Sequence, residues 1–196
     1  MRPQLYNSYA PLPRIGHPAP FFQADSNLGP VSLSDYKRKW LILFSYPADF
    51  TPVCTSEIKA FAGMYPLLKE LNCALVGVSV DSVYEHLNWI KNIEDAGSEP
   101  IRFPILADLN LKVADKYGLL PNENAEEASR SLYVIDPLQM VRAIIHYPAS
   151  TGRNTDEILR LLKALQLTDA QKAITPVNWQ PGDQAILPDA YLTRKV

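Results

Sequence analysis

Thr51 and Cys54 stand three positions apart in the stretch YPADFTPVCTSE, residues 46–57, just ahead of an amphipathic run and punctuated by Pro47 and Pro52. Cysteine is the side chain here that can attack an electrophile, as its thiolate, and threonine can both donate and accept a hydrogen bond. With Thr51 as helix N-cap, Pro52 falls at the first helical position, where its missing N–H costs nothing and its φ is already helical. Cys54 then takes the place of the carboxylate in a capping box and is expected to meet Thr51 Oγ1 and the free amides of the first turn. Such a helix end lowers a cysteine pKa from about 8.5 to roughly 3.5–7.5. A free cysteine is already a few per cent ionised at pH 7, so full ionisation multiplies the thiolate by only about 30. A fast reaction therefore needs donors on the electrophile as well: Thr51, the helix amides and a cation brought from elsewhere. For an isolated Thr-x-x-Cys the plainer alternative is a buried cysteine beside a helix cap.

The elements that must position this turn are read from periodicity. The apolar run WLILFSY, 40–46, is of strand length and predicts a strand buried on both faces, leading into the cysteine stretch. A helical stripe of Ile58, Phe61, Ala62, Tyr65 and Leu68 follows over about 55–71, with Pro66 expected to kink it. CALVGVSV, 73–80, reads as a second strand, and Ser82 with Glu85 forms a capping box for a helix through about Ile93, ended near Gly97. FPILAD, 103–108, reads as a short strand, and 110–117 as a helix closed by Gly118. SLYVID and MVRAIIHYP flank Asp136 and Pro137 as a hairpin, and 154–165 is an amphipathic helix. Strands alternating with helices, closed by a hairpin, predict an α/β layer fold on a mixed sheet, thioredoxin-like in outline.

The 196 residues, 47% of them hydrophobic, suffice for one well-buried core with appendages. The 17 prolines mark 1–20, 121–130 and 174–190 as arms or loops. A formal net charge of -2 with no polybasic run argues against nucleic acid or an anionic membrane as partner. No apolar stretch approaches the roughly 18 residues of a membrane span, and the N-terminus has no signal-like apolar segment; the expectation is a cytoplasmic protein. Cys54 and Cys73 are too few for a disulfide framework, and His17, His86 and His146 are scattered, so neither a metal nor a cofactor is expected.

PADFTPVCTSE resembles the peroxidatic motif Pro-x-x-x-Thr-x-x-Cys of the peroxiredoxins, matched here by Pro47, Thr51 and Cys54. RSLYVIDP resembles the later segment that carries the family's active-site arginine, here Arg130, while YPASTGRN and TPVNWQPGD resemble hallmarks of its one-cysteine, peroxiredoxin 6 type. The resemblance implies a thiol-dependent peroxidase of antioxidant defence and redox homeostasis, in which Cys54 attacks a hydroperoxide and becomes a sulfenic acid. It implies that Thr51 hydrogen-bonds the peroxide, that Arg130 polarises its oxygens, and that Pro47 shields the sulfur. It further implies that Glu57 orients the arginine and that Arg153 is a second arginine of the site. The subfamily has a histidine where this chain has Tyr46, a phenol in place of a group titrating near neutrality. The chain also ends at Val196, earlier than the longer members of the subfamily, so their distal C-terminal contacts are not expected.

About 17 helical residues separate Cys54 from Cys73, roughly 25 Å, whereas a disulfide needs Cα atoms within about 7 Å. Cys73 is thus expected in the core, and the sulfenic acid to be resolved by an external thiol. The domain reading is 1–165 for the thioredoxin-like peroxiredoxin domain and 166–196 for a C-terminal arm. Trp179, Ile186, Leu187 and Tyr191 on that arm need burial, and the resemblance implies a homodimer or higher assembly in which it packs near the partner's active site. Phospholipid hydrolysis is disfavoured because DYKRKWLILF lacks a Gly-x-Ser-x-Gly pattern. A peroxide sensor or holdase chaperone on the same fold is the alternative function.

Overall fold

The structure is a computed structural model, and it describes residues 12–120 and 128–187. Parts of the 1–20, 121–130 and 174–190 segments, and Tyr191, lie outside the described residues. The chain divides into two compact units, residues 1–153 and 154–196.

The first unit is built on a seven-stranded mixed sheet of order β2-β1-β5-β4-β3-β6-β7. Its strands are β1 (Gln23–Ser26), β2 (Gly29–Ser32), β3 (Trp40–Ser45), β4 (Cys73–Ser79), β5 (Ile105–Ala107), β6 (Arg130–Ile135) and β7 (Val141–Tyr147). β3, β4 and β5 run parallel, while β6, β7, β1 and β2 are antiparallel to their neighbours. This is the thioredoxin-like layer fold that the alternation of elements predicts. Every residue of β3 is buried, as its continuous apolar run requires. Leu41 and Leu43 join a cluster with Val76, Val78, Tyr117 and Tyr133, while Phe44 meets Phe61 of helix α1 (Pro52–Glu70) with ring centroids 4.4 Å apart.

Helix α1 starts at Pro52 and runs on through Pro66, so the proline expected to kink the helix lies inside one continuous element. Helix α2 (Val83–Asp95) has the predicted capping box: Glu85 N donates to Ser82 Oγ and Ser82 N to Glu85 Oε2. Helix α3 (Lys112–Tyr117) starts two residues later than expected, because Asp108, not the residue before the helix, accepts from Val113 N and Ala114 N; Gly118 closes it in the left-handed conformation. The β6–β7 turn is held by Asp136 Oδ1, which accepts from Leu138 N and Met140 N.

The β1–β2 hairpin and the 3-10 turn Leu33–Tyr36 have no counterpart in the periodicity reading. β1 exposes Gln23 and buries Ser26, so it carries no apolar alternation to read. The Ser32 and Asp35 capping box was a usable signal for the turn after it.

In the second unit, helix α4 (Thr155–Gln171) extends past the expected end at Leu165, and Asn154 Oδ1 caps it by accepting from Asp156 N and Glu157 N. Beyond it, Ile174 and Ile186 form a two-residue antiparallel bridge. Trp179 is buried, with its ring N–H donated to Asp183 O and its carbonyl accepting from Arg160 Nη1.

Candidate active site

The site lies where β3 ends and α1 begins. β6 pairs antiparallel with β3 through Phe44 and Leu132, so Arg130, two positions earlier in β6, falls level with the loop that follows Ser45. From there Arg130 Nη1 reaches Cys54 Sγ at 3.3 Å and Glu57 Oε2 at 2.8 Å, and its Nε donates to Ala149 O. Cys54 is fully buried and Pro47 is buried in the loop before it.

Glu57 lies one turn after Cys54 and joins two arginines. Its Oε1 accepts from the backbone N–H and Nε of Arg153, and its Oε2 from Arg153 Nη2 at 2.7 Å as well as from Arg130. Arg153 Nη1 donates to the carbonyls of Ser45 and Ser131, and its guanidinium lies over the rings of Phe44 and Phe61 at 5.3 and 5.5 Å. Burial pushes the Glu57 carboxyl up, but the hydrogen bonds and charge of Arg153, with Arg130 behind them, outweigh it and hold the pKa below its ordinary value. Two guanidiniums and one carboxylate leave one net positive charge beside the sulfur, which a thiolate would balance. The same guanidinium offers N–H donors to an oxygen approaching the sulfur.

The predicted contact between Thr51 and Cys54 is not made. Thr51 is the N-cap by its extended backbone but makes no side-chain cap; its Oγ1 donates to Ala48 O at 3.0 Å. The turn 48–51 instead offers the hydroxyl the Ala48 carbonyl as its acceptor. With its proton committed to Ala48 O, the hydroxyl oxygen keeps only its acceptor capacity. Cys54 is instead engaged from across the sheet by Arg130.

Tyr46 is fully buried against Trp89, ring centroids 5.5 Å apart, and its hydroxyl donates to Asp49 Oδ1 rather than to the sulfur. Asp49 Oδ2 lies 2.8 Å from His86 Nδ1, and Asp49 N donates to Asp81 Oδ2. The reading of the histidines as scattered is thus corrected for His86: folding brings ligand-type atoms of Asp49, Asp81 and His86 within 4.8 Å of one another. Protein donors already serve these oxygens, since Asp81 Oδ2 also accepts from Ser79 Oγ. Neither Asp49, at an unspecified position of the cysteine motif, nor His86 was singled out from the sequence, because only the packing of α2 brings the two together.

Cys73 opens β4, paired with Trp40 at the start of β3, whereas Cys54 follows the far end of β3. Burial pushes its thiol up to about 12. Both cysteines are free and buried. Among the described residues no helix is long and apolar enough to cross a membrane.

Comparison with known proteins places most of the chain. Residues 15–144 match the AhpC/TSA family and residues 164–191 the C-terminal domain of 1-Cys peroxiredoxin. The chain is 52% identical to peroxiredoxin 2 of Picrophilus torridus over 174 residues, covering 89% of this chain and 86% of that one. It is 42% identical to the mitochondrial peroxiredoxin PRX1 of Saccharomyces cerevisiae over 194 residues, 94% of this chain and 74% of the other. A solved yeast mitochondrial 1-Cys peroxiredoxin, described for thiol resolution via glutathione/thioredoxin systems, superposes with a TM-score of 0.83 at 43% identity, covering 89% of this chain and 86% of that one. Peroxiredoxin 6 of Arenicola marina gives 0.83 at 35% identity, covering 89% and 84%. With a buried cysteine facing an arginine at the head of a helix, and these relatives over most of its length, this chain belongs to the peroxiredoxins, a family of thiol-dependent peroxidases.

Proposed function

We propose that the chain reduces hydrogen peroxide and organic hydroperoxides by a one-cysteine cycle at Cys54. The observation that carries this is Arg130 Nη1 at 3.3 Å from a buried Cys54 Sγ, with Glu57 holding the guanidinium in place. The Cys54 thiolate attacks the terminal peroxide oxygen, the O–O bond breaks, and the other oxygen leaves with its electron pair and takes a proton to become water or an alcohol. Arg130 donates to the peroxide oxygens as charge develops on the leaving one, and Thr51 Oγ1 accepts from the peroxide O–H. Pro47 keeps bulk water from the sulfur, Glu57 orients both guanidiniums, and Arg153 balances the Glu57 charge.

The sulfenic acid then condenses with an external thiol, releasing water and leaving a mixed disulfide; a second thiol returns Cys54 and carries away the disulfide. Cys73 is unsuited to resolve it, since helix α1 separates the two by roughly 25 Å at 1.5 Å per residue. Glutathione or a thioredoxin-like protein fits the external role, in keeping with the yeast relative. Exposed Ile174, Val177 and Leu187 support a homodimer in which a second copy covers the C-terminal segment, and two free thiols fit the reducing cytoplasm.

The test is peroxide consumption with excess dithiothreitol by wild type, Cys54→Ser and Cys73→Ser. Loss with the first and retention with the second is expected; loss with Cys73→Ser in a folded protein would replace this cycle by one that forms a disulfide.

A further inference from the structure

The loop from Tyr46 to Thr51 is the only covalent link between β3 and the helix that carries Cys54, and its conformation sets where the sulfur sits. Within it Phe50 has φ +60°, a left-handed backbone that an aromatic residue rarely adopts. The Phe50 side chain does little to hold this shape: it is more than half exposed, and its ring centroid is 6.4 Å from that of Trp89. Such a conformation persists only where the surroundings over-determine it.

Asp49, the preceding residue, supplies that constraint from three directions. Its Oδ1 accepts from Tyr46 OH at 2.8 Å, its Oδ2 lies 2.8 Å from His86 Nδ1, and its backbone N–H donates to Asp81 Oδ2 at 3.0 Å. The Asp49 and His86 side chains are 2% and 0% exposed, so water does not substitute for these contacts.

The proton count follows from the acceptors. His86 Nε2 faces Leu106 O at 3.3 Å, a group that can only accept, so Nε2 carries a hydrogen. Nδ1 and Asp49 Oδ2, at 2.8 Å, then need one proton between them, whichever atom bears it. The dyad is neutral as a pair, and it ties the loop to α2, with the β5 carbonyl fixing the imidazole from behind.

We propose that Asp49, His86 and Tyr46 form a one-proton clamp that holds the Phe50 turn in its left-handed form and thereby keeps Cys54 buried against Arg130. Asp49 and His86 are positioning residues in this account; neither touches the reacting atoms. The proposal rests on Cys54 being the reactive thiol, and it assigns Tyr46 a structural partner in this chain.

Asp49→Ala against Asp49→Asn separates the clamp from mere occupancy. The asparagine can accept from Tyr46 OH through Oδ1 and donate through Nδ2 to a neutral His86, restoring both contacts. Two rates are read: iodoacetamide labelling of Cys54 by mass spectrometry, with Cys73, which reacts only on unfolding, as the control for global unfolding, and peroxide consumption in a single turnover. Asp49→Ala is expected to raise Cys54 labelling about 10-fold and to slow peroxide reduction about 10-fold, with Asp49→Asn within about 3-fold of wild type on both. Cys54 labelling in Asp49→Ala at the wild-type rate, or Asp49→Asn as impaired as Asp49→Ala, overturns the clamp. Should Asp49→Ala not fold, Tyr46→Phe carries the test, because it deletes one hydroxyl and keeps the ring against Trp89. It is expected to raise labelling about 3-fold, and wild-type labelling sinks the proposal. Labelling needs no peroxide, so a wild type inactive on peroxide would end the functional reading while leaving this test intact.

Discussion

Cys54 and Arg130 are 76 residues apart in the chain and 3.3 Å apart in the fold, sulfur to guanidinium nitrogen. The contact spans the β3–β6 register, so anything that moves Arg130 along its strand or frees its guanidinium removes the donor from the sulfur.

Arg130→Met takes away the donor and keeps a long apolar chain in the buried slot. Loss of one preorganised donor of this kind costs about 10²–10³ in rate. Single-turnover peroxide reduction should fall by that factor, and a decrease below about threefold would assign the polarising role elsewhere.

Glu57→Gln leaves two buried guanidiniums with an amide in place of a carboxylate that serves them through three hydrogen bonds and accepts a fourth from the Arg153 backbone N–H. Removing one partner of a buried pair costs about 3–5 kcal/mol. Urea unfolding should show a loss of that order together with a slower peroxide reaction, whereas an unchanged midpoint would mean that the arginines find other acceptors.

The same carboxyl gives a pH dependence. Its folded pKa lies below the ordinary 4.5, so its stabilising contribution is fully present above that value and is lost as pH falls through the folded pKa. Thermal midpoints measured from about pH 6 to about pH 3 should decline more steeply in wild type than in Glu57→Gln, which has no proton to take up there. Parallel curves would show that Glu57 is not the titrating group.

Gly77→Ala probes the aromatic stack beneath Arg153. A Cβ at Gly77 would lie 3.0 Å from Phe44 Cζ and 3.4 Å from Ile105 Cγ1. Phe44 packs on Phe61 and under the Arg153 guanidinium, so its displacement is transmitted to the site. Overpacking of this kind costs about 1–3 kcal/mol; a variant as stable as wild type would show that the ring has room to give.

Cys73 provides the contrast of a thiol in the same fold. Buried at the start of β4 with its thiol pushed up to about 12, it should resist labelling at about pH 8 in the folded protein and react only in denaturant. Native-state labelling of Cys73 as fast as that of a free cysteine would contradict this burial.

The sequence by itself determined the helix with Cys54 in its first turn and the α/β layers, and it pointed to Cys54 as the thiol of the proposed reaction. A buried run such as WLILFS, a Thr-Pro-x-Cys helix start and a Ser-x-x-Glu box are local patterns whose physics is complete within a few residues. The resemblance also named Glu57 within the cysteine motif, Arg130 in RSLYVIDP and Arg153 in YPASTGRN. Only the tertiary structure decided how they meet. Arg130 reaches the sulfur because β6 runs antiparallel to β3 in one register, and Arg153 reaches Glu57 across 96 residues. Thr51 was misjudged locally, since the cap expected of its hydroxyl lost to the carbonyl of Ala48. The β1–β2 hairpin carried no apolar alternation to read, and the tie between Asp49 and His86 depends on the packing of α2 beside the cysteine loop. Periodicity and caps are set by neighbours in sequence, whereas register and burial depend on which distant segments share a face, and no single segment encodes that.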